Sequence, residues 1–326
     1  MKNKIDIAIL QTGGTISSAG VDSLAPNQTV ANEIEEKTMA IITSLGLTCE
    51  IVHPFHEKIY DSSDMSPSQW QTLNEHIHWL QYLGVNKFLI LHGTDTMCYT
   101  ASALCFATEG CTIALTGSQR VLAEDGFDGL DNIELAVKFL AENEGNHGVY
   151  VAFAGRVIPA PFCHKQDASG LDAFCDTRSE KREFQFCFHK DRIDLSLATL
   201  DDVEVVRLNP ISLPNFEWLD RNYFGGFRRR KRFIVIFGFG TGNVPKKLIA
   251  DLKFKYLGLA KNKLPIIVAA STCEKGQKSS ARYETGLDEL VKSRFRVMSQ
   301  GEYSEEFLLT LLSLNKHIEI FDFLTR

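Results

Sequence analysis

The sequence predicts an α/β protein: a large N-terminal domain, its mostly parallel sheet flanked by helices, and a smaller C-terminal α/β domain. Three observations predict it. Short apolar runs recur in the first half, at Ile5–Leu10, Phe88–Leu91 and Gly148–Phe153. Segments with helical spacing separate them, and such alternation builds a parallel sheet covered on both faces. After a charged, irregular stretch, a second and shorter alternation begins at Phe233, and 326 residues suffice for two domains.

Each element has its own warrant. Ile5–Leu10 reads as a buried first strand. Two lysines precede it, as in a signal peptide. The run is short, carries Asp6 and leads into Gln11-Thr12-Gly13-Gly14, not a small-residue cleavage site, so a cytoplasmic chain is expected. Val30, Ile34, Ile41 and Leu45 fall roughly on one helical face, and Leu47–Val52 reads as the next strand. Ser66 is placed to N-cap a helix, with Pro67 in its first turn and Gln69 closing a capping box. Trp70, Leu73, Ile77 and Leu80 form that helix's apolar stripe. A strand at Phe88–Leu91, a helix over Tyr99–Thr108 and a strand at Thr112–Leu115 follow. Ile133, Val137 and Leu140 mark another helix, and Gly148–Phe153 another strand.

Charge rises between Lys181 and Leu213. The expected organisation is therefore an N-terminal domain over 1–190, a linker over 191–213 and a C-terminal domain over 214–326. The last should hold a strand at Phe233–Phe237, a helix after Pro245, a strand at Pro265–Ala270 and a helix near Ser304–Leu312.

Composition excludes several functions. Apolar residues make up 44% and charged residues 23%, the balance of a soluble globular protein. A formal net charge of −6 argues against a nucleic-acid partner. The densest basic run, Phe227–Arg232, reads as a solvated face. No stretch reaches the roughly 18 apolar residues of a membrane span. The eight cysteines form no Cys-x-x-Cys and none sits at zinc spacing with histidine. Most read as reduced, buried, small apolar residues, and no metal site is expected.

In open parallel sheets ligands bind beyond the carboxyl ends of the strands. Polar loops stand at three such ends: Gln11–Ser17, His92–Thr96 and Thr116–Gln119. Their glycines and small hydroxyl residues let backbone N–H groups approach a ligand closely. The edge lacks a phosphate loop, a dinucleotide fingerprint, a nucleophile elbow and a zinc-protease motif. What remains is threonine hydroxyls close to a carboxylate. A hydroxyl is a weak nucleophile until a base removes its proton.

Thr12-Gly13-Gly14-Thr15-Ile16 and His92-Gly93-Thr94-Asp95-Thr96-Met97 resemble the paired signatures of the bacterial-type asparaginase/glutaminase family. The likeness runs over nearly the whole chain. Asp61-Ser62-Ser63-Asp64-Met65 resembles the form found in cytoplasmic type I enzymes, as does Leu91–Leu104. Thr116-Gly117-Ser118-Gln119, Asp128-Gly129 and Asn132 continue the pattern, and Lys165 ahead of Gly170–Phe174 is similar to the family's catalytic lysine segment. Gly240–Pro245 and Thr272–Gly276 resemble further type I landmarks.

The resemblance implies hydrolysis of L-asparagine to L-aspartate and ammonia. It implies Thr12 as the nucleophile that forms an acyl-enzyme ester, with Thr94, Asp95 and Lys165 handling protons. It implies Gly14, Ser62, Ser63, Thr94, Asp95 and Ser118 as substrate contacts, and Asn243 and Cys273 as an effector or subunit contact. It implies a homodimer or a dimer of dimers, and no metal or organic cofactor. Some glutaminase activity is compatible, since one methylene discriminates only about 10–200-fold.

One departure stands out. The family places a tyrosine on the mobile loop after the first signature. Gly20–Asn27 contains none, and Leu24 stands nearest its place. That keeps open an asparagine sensor with little turnover. An amidotransferase subunit acting on misacylated tRNA is the other alternative; the strand starting at Ile5 is expected to leave no room for its added N-terminal module.

Overall fold

The computed structural model describes residues 4–20, 23–56, 58–180, 184, 186, 193–211, 231–276, 290 and 292–324. The chain folds as two compact units. One comprises Met1–Asp176, Arg182–Ala198 and Glu305–Thr310; the other comprises Thr177–Lys181, Thr199–Ser304 and Leu311–Arg326.

The first unit opens with β1 (Ile7–Gln11), a small antiparallel pair β2 (Ser18–Ala19) and β3 (Ala25–Pro26), helix α1 (Gln28–Ser44) and β4 (Cys49–Val52). Then follow α2 (Pro67–Tyr82), β5 (Lys87–Leu91), α3 (Met97–Ala107), β6 (Thr112–Thr116), α4 (Gly129–Glu142), β7 (Gly148–Phe153) and β8 (Arg156–Pro159). The six-stranded sheet runs β4-β1-β5-β6-β7-β8, every neighbouring pair parallel except β7 and β8. A second antiparallel pair, β9 (Cys163–Lys165) and β10 (Phe174–Asp176), forms a hairpin outside that sheet.

The apolar runs become the central strands because both faces of a parallel sheet are covered. Every residue of β1 and β6 is buried. Side chains alternate between the faces. Ile7, Ile9, Leu89, Leu91 and Ala114 pack in one cluster with Ile34 and Ile42 of α1 and Ile133, Val137 and Leu140 of α4. The helices α2 and α3 pair with each other, where Trp70 Nε1 donates to Thr100 Oγ1 at 3.1 Å and the His78 ring bonds the Ala107 carbonyl at 2.9 Å.

The expected start of α2 is present. Pro67 stands at its first position, and Gln69 Oε1 accepts from the Ser66 N–H at 3.1 Å. The face of α1 differs from the expected one. Ala31, Ile34, Glu35, Thr38 and Ile42 are buried, whereas Leu45 caps the helix and is 44% exposed. The buried stripe is rotated by about one position, and the helix ends before Leu45 can join it.

The second unit is built on a fully parallel sheet of β11 (Val203–Arg207), β12 (Phe233–Gly238), β13 (Ile266–Ser271) and β14 (Arg296–Ser299), in that order. Its core joins Ile234, Ile236, Ile267, Ala269 and Val297 to Leu248, Ile249 and Leu252 of the helix Lys246–Lys255. The stretch expected as a linker, 191–213, contains the helical turn Leu195–Leu197 of the first unit and β11 of the second. Val203 and Val206 are buried there on opposite faces of a short strand, so no alternating pattern stands out among charged neighbours. Of the basic run Phe227–Arg232, residues 227–230 lie outside the described residues, as does Cys187. Among the described residues no helix is long and apolar enough to cross a membrane, and Cys49, Cys98, Cys105, Cys111, Cys163 and Cys273 are free thiols.

Candidate active site

The chain leaves β1 toward β4 on one side and reaches β5 on the other. At such a reversal of strand order the two connections diverge and leave a crevice at the carboxyl edge. The three polar loops of the sequence leave β1, β5 and β6, which are adjacent strands. Sheet order therefore puts all three along one edge.

Gln11 pairs with Leu91, so Thr12 stands beside the first residue of the β5 loop. Thr12 is 2% exposed, and both its N–H and its Oγ1 donate to the Leu91 carbonyl, at 3.0 and 2.9 Å. The following turn needs glycine. Gly14 has φ 90°, a region that side chains rarely adopt, and a Cβ there would lie 2.1 Å from Gly93 Cα. Its N–H donates to the Tyr60 carbonyl at 2.9 Å. Gly93 in turn abuts Ser62, whose Oγ would be 2.6 Å from a Cβ at that position. Gly14 thus meets the Tyr60 and Gly93 segments backbone to backbone, and Gly93 packs on the Ser62 side chain.

Ser62 is buried, and its carbonyl accepts from Thr96 Oγ1 at 2.6 Å. Ser63 is exposed, and its Oγ donates to the Asp61 carboxylate at 2.8 Å. Ser118 is fully buried, and its hydroxyl donates to the Arg120 carbonyl at 2.7 Å. The side chains of Ser63 and Ser118 are thus spent on their own loops.

Beyond β5, Thr94, Asp95 and Lys165 meet directly. Lys165 Nζ donates to Thr94 Oγ1 at 2.9 Å and to Asp95 Oδ1 at 2.6 Å. Thr94 is buried and Lys165 largely so, while the Asp95 side chain is 65% exposed. Lys165 closes β9, and the antiparallel register Lys165↔Phe174 anchors it. On the preceding residue, the His164 ring meets the buried Glu306 carboxylate at 3.0 and 3.1 Å. Cys163 of β9 and Cys98 of α3 lie 3.6 Å apart as free thiols.

Two side chains of this edge carry no expected role, yet the structure involves both. His92 is fully buried; its Nδ1 bonds the Gly93 carbonyl at 2.7 Å and its Nε2 meets Thr100 Oγ1 at 2.9 Å. Burial pushes its pKa down to about 4, against a smaller upward pull from the Gly93 carbonyl. A neutral imidazole thus braces the turn that presents Thr94, with Thr100 also receiving the Trp70 indole N–H. Gln119 Oε1 accepts from Thr94 Oγ1 at 2.9 Å. A histidine and a glutamine beside the motif residues were the available signal, but their partners are distant in sequence.

Asn243 and Cys273 lie in the second unit. Asn243 N and O both bond Phe239 at 2.8 Å, closing a tight turn after β12. Cys273 is exposed, and its N–H donates to Ser271 Oγ at 3.0 Å. Among the described residues no group of His, Cys, Asp and Glu has the arrangement of a metal site.

Residues 6–190 match the family described as Asparaginase, N-terminal. The chain is similar to L-asparaginase 1 of Escherichia coli strain K12, with 31% identity over 241 residues, 70% of this chain and 68% of that protein. Its fold resembles the solved thermostable L-asparaginase from Thermococcus kodakarensis, with TM-score 0.76 and 24% identity over 98% of this chain and 95% of the other. It also resembles L-asparaginase I from Vibrio cholerae O1 biovar eltor, with TM-score 0.74 and 25% identity over the same shares of 98% and 95%.

Proposed function

The chain belongs to the asparaginase family, and on that premise we infer that it hydrolyses the side-chain amide of L-asparagine to L-aspartate and ammonia. The observation that carries the reading is the hydrogen-bonded set Thr94–Lys165–Asp95 at the sheet edge that also bears Thr12.

In this account Thr12 is the nucleophile. Its hydroxyl gives up the bond to the Leu91 carbonyl and attacks the amide carbon. A base must take its proton, and Thr94 with Lys165 supplies the route. Loss of ammonia leaves an ester on Thr12, which water then hydrolyses by the same proton route. The Thr12 and Gly14 N–H groups are already engaged, by Leu91 and Tyr60. The N–H groups of the 93–95 turn are therefore the oxyanion donors in this account, each worth roughly 2.7–4 kcal/mol.

Asp95, exposed and negative, suits the substrate α-ammonium, and Ser62 with the neighbouring turns suits the α-carboxylate. Gly14 contributes close backbone approach. Ser63 and Ser118 belong to the same reading as wall residues whose hydroxyls must turn from their present partners to touch substrate. The reaction as drawn uses only side chains, backbone and water. Asn243 and Cys273 are proposed as an effector or subunit contact, the active form as a homodimer or dimer of dimers, and the location as cytoplasmic, all on the type I likeness. Light scattering tests the assembly, and a sigmoidal rate curve tests the effector contact.

Steady-state ammonia release from L-asparagine, L-glutamine and their D-forms tests the reaction. Release fastest from L-asparagine is expected; saturable binding without release contradicts it. A sensor is the second reading, favoured by Leu24, 46% exposed, in the loop where the family carries tyrosine.

A further inference from the structure

We infer that Gln119 is a positioning residue that sets the direction of the proton shared by Thr94 and Lys165. The inference deepens the proposed function and rests on it for the role of that pair. Gln119 Nε2 faces the carbonyl oxygens of Ala168 and Gly170, each at 3.2 Å. A carbonyl only accepts, so nitrogen and not oxygen must stand there, and the amide cannot be flipped. Its oxygen therefore faces Thr94 and takes the hydroxyl proton at 2.9 Å.

A threonine hydroxyl has a single proton to give. With that proton spent on Gln119, Thr94 Oγ1 meets Lys165 as an acceptor, and Nζ donates. Asp95 Oδ1 receives a second proton from the same nitrogen. In the resting arrangement Nζ thus donates on both sides. Catalysis needs the opposite sense. Starting from the uncharged amine, Nζ gains the Thr94 proton while Thr94 takes one from the attacking hydroxyl. The nucleophile loses one proton and the lysine gains one. For that transfer the Thr94 hydroxyl must swing from Gln119 to Nζ, so Gln119 competes with Lys165 for it.

Gln119 is itself held in place. Its N–H lies 3.1 Å from each oxygen of Asp128, and Asp128 accepts from Asn132 Nδ2 at 3.0 Å. Asn132 Nδ2 also donates to the Gly117 carbonyl at 3.1 Å, which fixes the loop on its other side. The two bonds to Ala168 and Gly170 tie this loop to the turn of the hairpin that carries Lys165. One carboxamide thus bonds both Thr94 and the turn of the hairpin that carries Lys165.

The test is the pH profile of ammonia release by the full-length wild type, Gln119→Glu and Gln119→Met, with thermal melts on each. The glutamate keeps an acceptor for Thr94, loses both donor bonds and adds negative charge beside the lysine. The methionine frees the Thr94 proton for Nζ. Both variants lose the two bonds that tie this loop to the lysine hairpin, so in both kcat is expected to fall ~10-fold or more while KM changes less than ~3-fold. The acidic limb of kcat/KM is expected to move up by about one unit in the glutamate variant and down by about half a unit in the methionine variant. Limbs that coincide with wild type, or that move the same way in both variants, overturn the inference whatever the loss of rate. The isosteric glutamate guards against a methionine variant that folds poorly. A wild type that releases no ammonia fails at the earlier step and removes the asparaginase reading. An active wild type with unshifted variants removes only the role of Gln119.

Discussion

The two parallel sheets end alike and differ in what their ends can do. In the first unit β1 leads into Thr12-Gly13-Gly14; in the second, β12 leads into Phe239-Gly240-Thr241-Gly242-Asn243. Both edges carry threonine among glycines. At the second edge, the backbone closes on itself between Phe239 and Asn243, and Ser271 Oγ donates to the Gly240 carbonyl. The buried Thr241 Oγ1 has no hydrogen-bond partner among the described residues. At the first edge a lysine arrives from the β9–β10 hairpin and joins Thr94 and Asp95. A parallel sheet supplies an approachable edge; in the proposed mechanism the chemistry depends on a lysine brought in by an element outside that sheet.

Substitutions at the two edges sharpen the contrast. Thr12→Ala is expected to lower kcat by roughly 10⁴-fold or more with the melting temperature little changed, since the loss of one member of a nucleophilic set is of that order. Lys165→Met should cost ~10²–10⁴-fold in kcat, the range of a general base. Thr241→Val at the second edge should leave kcat within about 2-fold. A large loss there, measured by steady-state ammonia release, breaks the comparison.

A smaller effect concerns stability. His92 has a folded pKa of about 4, below the 6.5 of the free side chain. Below pH 6.5 the unfolded chain takes up a proton that the folded chain refuses. This group therefore destabilises the fold progressively as pH falls from 6.5 to 4, by about 3 kcal/mol in total, and adds nothing further below 4. Urea unfolding across that window should show a steeper loss for the wild type than for His92→Asn, which keeps a donor near Nδ1. Equal slopes would contradict the brace built on a neutral His92.

Much of the fold was legible in the sequence, for a physical reason. Strands buried on both faces must be apolar throughout, so β1, β5, β6, β7, β12 and β13 stand out as runs. The start of α2 was legible because a capping box uses local bonds between Ser66 and Gln69. The short strands β8, β9 and β10 were not. At 4, 3 and 3 residues they are too brief to show a period. Lys165 was therefore reachable only through resemblance, since nothing around Cys163–Lys165 marks a site. Gln119 and His92 sit inside recognised motifs, but their partners lie up to 51 residues away in sequence. Only the folded chain shows that a carboxamide stands between Thr94 and the lysine hairpin.

The central claim is that the hydroxyl after β1 carries the acyl group. Acid quenching of the enzyme during turnover of L-asparagine, followed by peptide mass spectrometry, tests it most directly. One aspartyl group esterified to Thr12, absent from Thr12→Ala, is the predicted result. An aspartyl group found on another hydroxyl while asparagine is turned over contradicts it.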